Sequence, residues 1–108
     1  MNRITAAIAL LASAAALPGA AAEAQAPSKA ALCTTCHGPL GISVAPDAPN
    51  LAGQPRIYLV AQLGAYRSGK RTHEQMSLIA KGLSDADILE LADWYSSIGV
   101  EARRPPAR

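Results

Sequence analysis

The residues with the clearest chemical potential stand in one short segment, where Cys33, Cys36 and His37 form a Cys-x-x-Cys-His pattern. Two cysteines three positions apart on a helical turn project to nearly the same side of the backbone. This spacing lets both thiols add to the two vinyl groups on one edge of a porphyrin, while the adjacent histidine binds the iron. The pattern is typical of c-type haem attachment. We therefore predict one covalent haem c, attached through Cys33 and Cys36, with His37 as an iron ligand.

The beginning of the chain has the pattern of a secretory signal peptide. Arg3 supplies a positive charge, residues 6–17 are almost all small or apolar, and small residues over 20–26 offer cleavage sites. The apolar run of about 12 residues is shorter than the ~20 that a transmembrane helix needs. We predict a signal peptide over residues 1–24 and an exported, periplasmic domain over 25–108, with no membrane span after cleavage.

The composition limits what the domain can be. The chain has 108 residues, a net charge of +2, two cysteines, no Phe and 4% aromatic residues. This charge gives no basic footprint for nucleic acid, and two cysteines cannot staple a disulfide-rich scaffold. A mature domain of roughly 84 residues buries only about 60% of its unfolded surface. With so few aromatic side chains, a further apolar group is needed to complete the core.

Three other chemistries use the same residue types. A thioredoxin-like dithiol belongs beside a βαβ pattern, and the sequence has no strand pattern. A zinc site would combine Cys33, Cys36 and His37 with His73, but adjacent Cys36 and His37 fit one tetrahedron poorly and thiolate sites are unusual in exported proteins. A plain structural disulfide between the two cysteines is the third alternative.

One histidine leaves the sixth iron position to be filled. Met76 and His73 are the only other Met and His outside the predicted signal peptide. Met76 follows a Gly/basic turn and precedes the last predicted helix, so its segment can fold back over the second haem face. His/Met ligation raises the reduction potential and suits electron transfer. We predict Met76 as the sixth ligand. Ligation by His73, an open position, and Met76 as a core filler stay as alternatives.

The surrounding sequence predicts helices joined by loops. Helical character covers residues 29–36 and 55–68, and a last helix follows Ser84, which suits an N-cap position. The stretch 71–82 is ambiguous, and 101–108 reads as a frayed tail. The second helix is predicted to have an apolar face made of Ile57, Val60, Ala61 and Gly64, with Leu59, Leu63 and Tyr66 beside it. The last helix repeats apolar residues at helical spacing, namely Ile88, Leu91, Ala92, Tyr95 and Ile98.

Together these segments resemble class I c-type cytochromes, and in particular one half of the bacterial dihaem cytochromes c. The matching residues are Cys33–Gly41, Pro49–Gln54, Tyr58, Gln62, Leu63, Gly69, Arg71, Met76 and Leu83–Asp87. The resemblance covers residues 30–98. It implies a small all-α fold of about three to five helices wrapped around one haem, with the first and last helices packed together. It also implies that the Pro49 carbonyl holds His37 and that Met76 is the distal ligand.

The resemblance implies an electron carrier rather than an enzyme, cycling Fe(II)/Fe(III) between redox protein partners. A single Cys-x-x-Cys-His segment indicates one haem domain and not a tandem pair, so a homodimer or a larger oxidoreductase subunit is a possible partner. The main alternative is therefore a haem-bearing subunit of a periplasmic oxidoreductase, such as a flavocytochrome. A ligand sensor or peroxidase-like haem protein with an open iron is the second alternative. A basic middle stretch offers a surface for an acidic partner, and its members are Arg56, Arg67, Lys70, Arg71 and Lys81.

Overall fold

A computed structural model describes residues 13–108, so the first part of the predicted signal peptide lies outside the described residues. Within this part of the chain every regular element is helical, which confirms the all-α prediction. The elements in chain order are a 3₁₀ turn Ser28–Ala30 and the helices α1 Ala31–His37, α2 Arg56–Ser68, α3 Glu74–Lys81 and α4 Asp85–Ser97. No helix among the described residues is long and apolar enough to cross a membrane.

The end of α1 is set by a glycine that no other residue can replace without strain. His37 is the last residue of α1, and Gly38 follows with φ +78° and donates its N–H to the Thr34 carbonyl at 3.0 Å. Positive φ disfavours any side chain, and a Cβ at this position would also collide with the Ile42 carbonyl. The chain therefore turns away immediately after His37, and the loop that follows runs back toward α1.

The last helix supplies more of the buried core than any other element. Its first turn is a capping box, in which the Ser84 hydroxyl accepts from the Asp87 N–H at 3.0 Å and the Asp87 carboxylate accepts from the Ser84 N–H at 2.9 Å. The predicted apolar positions of α4 are buried, except that Ile98 is only half-buried. The buried ones are Ile88, Leu91, Ala92 and Tyr95. This part of the pattern is confirmed.

The apolar face predicted for α2 is only partly right, because Val60 packs against the core whereas Ile57 and Ala61 are exposed. Leu59 is only 6% exposed, whereas Ile57 is 80% exposed. These two positions are two residues apart, which places them about 200° apart around a helix. Because α2 packs against both α3 and α4, the side that carries Leu59 and Leu63 faces the core. The helix also begins at Arg56, with Pro55 as its N-cap.

The first and last helical segments pack together. Ala30, at the end of the 3₁₀ turn, is buried in the same apolar cluster as Leu91, Ala92 and Tyr95 of α4, and Cys33 packs against that cluster. The ambiguous stretch before α4 proves to be the short helix α3, which packs on α2. The elements around α2 therefore bring the Cys-x-x-Cys-His segment and α3 to a common cavity.

Candidate haem site

All five predicted site residues line one cavity of about 320 Å³. Cys33, Cys36 and His37 come from α1, Pro49 from the loop that follows it, and Met76 from α3. The rest of the wall is mainly apolar and includes Leu32, Leu51, Leu59, Leu63, Ile79, Leu83 and Leu91. Cofactor pockets have this character, and their volumes run from about 300 to 1,000 Å³. We call the segment Cys33–His37 the α1 wall, and His73 with Met76 the α3 wall.

The two cysteines are half-buried free thiols on one short helix. Burial raises the pKa of the Cys33 thiol, and the neighbouring Tyr95 hydroxyl offsets this only in part. Catalytic dithiols and metal-binding cysteines depend on a depressed thiol pKa. The surroundings of Cys33 are therefore unlike those of a catalytic or metal-binding thiol.

His37 is buried and fixed by the loop. Its ring Nδ1 lies 2.7 Å from the Pro49 carbonyl oxygen. Since a carbonyl only accepts, Nδ1 must donate, and the neutral ring then keeps a free lone pair on Nε2. The loop is itself braced, because the Ser43 N–H donates to the Asn50 side chain at 2.7 Å. This is the arrangement of a metal-ligating histidine with its orienting partner.

The α3 wall offers two possible ligands in different states. Met76 is half-buried and its thioether needs no deprotonation to bind iron. His73 is exposed at the N-cap of α3, where its Nδ1 accepts from the Met76 N–H at 3.3 Å. An accepting Nδ1 places the ring proton on Nε2. Neither nitrogen of His73 then has a free lone pair, whereas the sulfur of Met76 does.

Tyr95 lines the cavity, although the sequence pattern predicts only that it belongs to the core. It is 2% exposed and lines the cavity, and its hydroxyl is buried without a hydrogen-bond partner among the described residues. Burial raises the pKa of this hydroxyl well above its usual value, with Cys33 as the next cause. Folded proteins rarely keep such a group unpaired. An unpaired buried hydroxyl in a cavity indicates a missing polar partner, which helical spacing alone does not reveal.

The cavity also has a fixed cation in its wall. The Arg71 guanidinium lies 4.7 Å above the Tyr66 ring and donates to the Gln62 side chain at 2.6 Å. Together with the two thiols, the free Nε2 of His37 and the unpaired Tyr95 hydroxyl, this makes a site whose residues fit a haem. The apolar wall suits the macrocycle, the Nε2 of His37 suits the iron, and the Arg71 guanidinium suits the acidic side groups.

The alternatives have less support. Among residues 13–108 no three His, Cys, Asp or Glu side chains converge as a metal-binding group, so the four-residue zinc set is not assembled. The thioredoxin-like interpretation needs strands, and the described part of the chain forms helices only. The cysteines are not joined as a disulfide.

Comparison with known proteins gives the same class. The family model for cytochrome c matches residues 21–98. Cytochrome c4 of Pseudomonas aeruginosa is 39% identical over 98 residues, covering 90% of this chain and 49% of that protein. Cytochrome c-554(548) of Halomonas halodenitrificans is 44% identical over 72 residues, covering 64% and 87%. A thiosulfate dehydrogenase electron acceptor of Stutzerimonas stutzeri is 40% identical over 70 residues, covering 62% and 32%.

A solved structure agrees with the fold. The cytochrome c4 structure from Acidithiobacillus ferrooxidans superposes with a TM-score of 0.58 at 35% identity, over 68% of this chain and 40% of that one. An all-α domain whose cavity is lined by a Cys-x-x-Cys-His segment defines a c-type haem protein. The chain belongs to the cytochrome c family and carries one covalent haem c at Cys33 and Cys36. It spans about half the length of the cytochrome c4 it matches.

Proposed function

We propose that this chain is a periplasmic one-electron carrier whose haem iron is held by His37 and Met76. Residues 1–24 are the signal peptide that exports it, and residues 25–108 form the haem domain. The observation that carries this proposal is the cavity itself, because the thiols, His37 and Met76 all line it. The orientation of His37 by the Pro49 carbonyl supports its role as the proximal ligand.

The bound haem supplies an iron that stores one electron by changing between Fe(III) and Fe(II). His37 would hold the iron through Nε2, because the Pro49 carbonyl keeps its ring in one orientation. The Met76 thioether would favour the reduced state, and the apolar wall would limit the access of water to the iron. Covalent attachment through Cys33 and Cys36 keeps the cofactor in a small domain.

The relatives support a redox enzyme as partner. Electron acceptors of thiosulfate dehydrogenase are among them, which favours a periplasmic oxidoreductase as the electron donor. A second candidate function, a haem-bearing subunit of such an enzyme, rests on the same observation. Stable co-purification with a larger protein would favour the subunit, and transient exchange of electrons with it would favour the carrier.

The basic surface for such a partner is smaller than the sequence predicted. Arg56 pairs with Asp93, and Arg67 pairs with Asp85 at 2.5 Å. Both carboxylates belong to α4, so these arginines tie α2 to α4. Lys70 and Lys81 stay exposed, and we propose that they contribute to steering an acidic partner.

The proposal is tested by optical spectra of the holoprotein in both oxidation states and by Met76→Ala. We expect a c-type reduced spectrum and a far-red sulfur-to-iron band in the oxidised protein. Met76→Ala should abolish the band and lower the reduction potential by a large amount, since the thioether stabilises Fe(II). An unchanged potential in Met76→Ala, together with a parent protein that lacks the far-red band, would contradict Met76 ligation and make His73 the next candidate.

A further inference from the structure

The first turn of α3 is held by a histidine that adjoins the proposed ligand. His73 has an extended backbone, with φ −156° and ψ 138°, and is the N-cap of α3. Its Nδ1 accepts from the N–H of Met76, the third residue of the helix, at 3.3 Å. The N–H groups of the second and third residues are the ones that an N-cap side chain satisfies. The N-cap hydrogen bond of α3 is therefore made directly to the backbone of Met76.

The reciprocal bond of this cap is displaced by one residue. In a capping box the side chain of the third helical residue accepts from the N-cap N–H. Met76 occupies that position and its thioether side chain lines the cavity instead. The next residue replaces it, because the Ser77 hydroxyl accepts from the His73 N–H at 3.0 Å. Both hydrogen bonds of the cap are thus made without the side chain of Met76, which remains in the cavity lining.

Few other polar contacts hold this turn. Both ion pairs in the described part of the chain join α2 to α4 and leave α3 out. The apolar anchor of α3 is Ala80, which is fully buried, with Ile79 half-buried beside it. These residues lie in the last turn of the helix. The position of the first turn, and of Met76 in it, therefore depends on the cap.

We propose that His73 and Ser77 are positioning residues for Met76. Their two hydrogen bonds fix the backbone that carries the thioether into the cavity. They also keep His73 from competing for the iron, because Nδ1 is occupied by the cap and Nε2 bears the proton. This inference rests on the proposed ligation by Met76.

The test is an imidazole titration of the oxidised holoprotein, followed through the far-red band. Imidazole binds when Met76 has left the iron, so its apparent affinity reports the population of that open state. Loss of an N-cap typically costs about 1 kcal/mol. We therefore expect His73→Ala to increase the population of the open state, and with it the apparent affinity for imidazole, about five-fold. His73→Asn should stay near the parent protein, because asparagine is a strong N-cap residue. Amide hydrogen exchange at Met76 should accelerate in His73→Ala without any added ligand.

Ser84→Ala is the matched control, because it removes an equivalent cap from α4 at a position outside the cavity lining. It should lower the unfolding midpoint of the holoprotein and leave imidazole affinity unchanged. The inference is overturned if Ser84→Ala and His73→Ala raise the affinity equally, or if His73→Ala changes neither affinity nor exchange. A parent protein that lacks the far-red band would refute Met76 ligation itself, which is a separate outcome.

Discussion

The α1 wall and the α3 wall each carry a histidine, but the two rings are hydrogen-bonded in opposite ways. His37 is 7% exposed and donates from Nδ1 to the Pro49 carbonyl. His73 is exposed and accepts at Nδ1 from the Met76 N–H. The first arrangement leaves a lone pair for a metal, and the second uses it inside the protein. Residue type alone therefore does not define a ligand, because the partner of the second ring nitrogen decides which tautomer is present.

The two walls also divide the work of holding a cofactor. The α1 wall contains both attachment points and the proposed ligand His37 within five consecutive residues of one short helix. The α3 wall contributes one thioether from a separate helix, and its position depends on a cap and on packing against α2. We infer that the α1 wall decides whether the haem is attached, while the α3 wall decides the properties of the iron.

The largest effect is expected when both thiols are removed. Cys33→Ala with Cys36→Ala should abolish covalent haem, because no other cysteine exists in the chain. Extraction with acidified acetone followed by a haem stain measures the attachment. Met76→Ala is the matched control and should retain covalent haem in full. Haem that stays attached to the double variant would contradict the attachment sites, and haem lost from Met76→Ala would contradict the division between the walls.

Two glycines flank the two walls, because Gly38 follows the α1 wall and Gly69 precedes the α3 wall. Gly38 and Gly69 have similar φ angles of 78° and 83°. A Cβ at Gly38 would collide with the Ile42 backbone, whereas nothing lies within 4 Å of a Cβ at Gly69. Gly69→Ala should cost only the left-handed penalty of about 1–2 kcal/mol.

Gly38→Ala should cost clearly more, because the backbone after His37 must move as well. Denaturant unfolding of the two holoproteins gives the difference in the free energy of unfolding. Equal costs for the two alanines would mean that the loop after α1 relaxes freely. The close turn that we describe would then not be needed to position His37.

Predictability from sequence follows the same division. The α1 wall and α4 can be predicted from local sequence. The first is a five-residue motif, and the second is a run of apolar residues at helical spacing. The buried face of α2 is not local, because α2 has apolar residues on several sides and only its packing against α3 and α4 selects Leu59 over Ile57. Sequence patterns therefore predict where the helices and the motif lie more reliably than they predict which face of a helix is buried.

The α3 wall illustrates a second limit. A histidine at the N-cap does not mark a helix start in the sequence, because the preference at this position runs to Asn, Asp, Ser and Thr. The role of His73 depends on the distance from its ring to the Met76 N–H, which only the folded chain provides. Tyr95 is a similar case, since its spacing predicts burial but not an unpaired hydroxyl at the cavity.

Tyr95→Phe is expected to have the smallest effect and tests whether the hydroxyl beside the α1 wall has a partner in the holoprotein. If bound haem or its thioether satisfies the hydroxyl, the phenylalanine variant loses that hydrogen bond. Its free energy of unfolding should then fall by about 1 kcal/mol. Tyr58→Phe is the matched control, because Tyr58 also lines the cavity but is 46% exposed, and changes at exposed positions stay within about 0.5 kcal/mol.

The sign of the Tyr95→Phe effect separates the two possibilities. Removing a hydroxyl that is buried and unpaired relieves a desolvation cost, so the variant would be as stable as the parent or more stable. Chemical unfolding of both oxidised holoproteins measures this difference. A stable phenylalanine variant would mean that the cofactor does not reach Tyr95, and the cavity wall next to Cys33 would then serve packing alone.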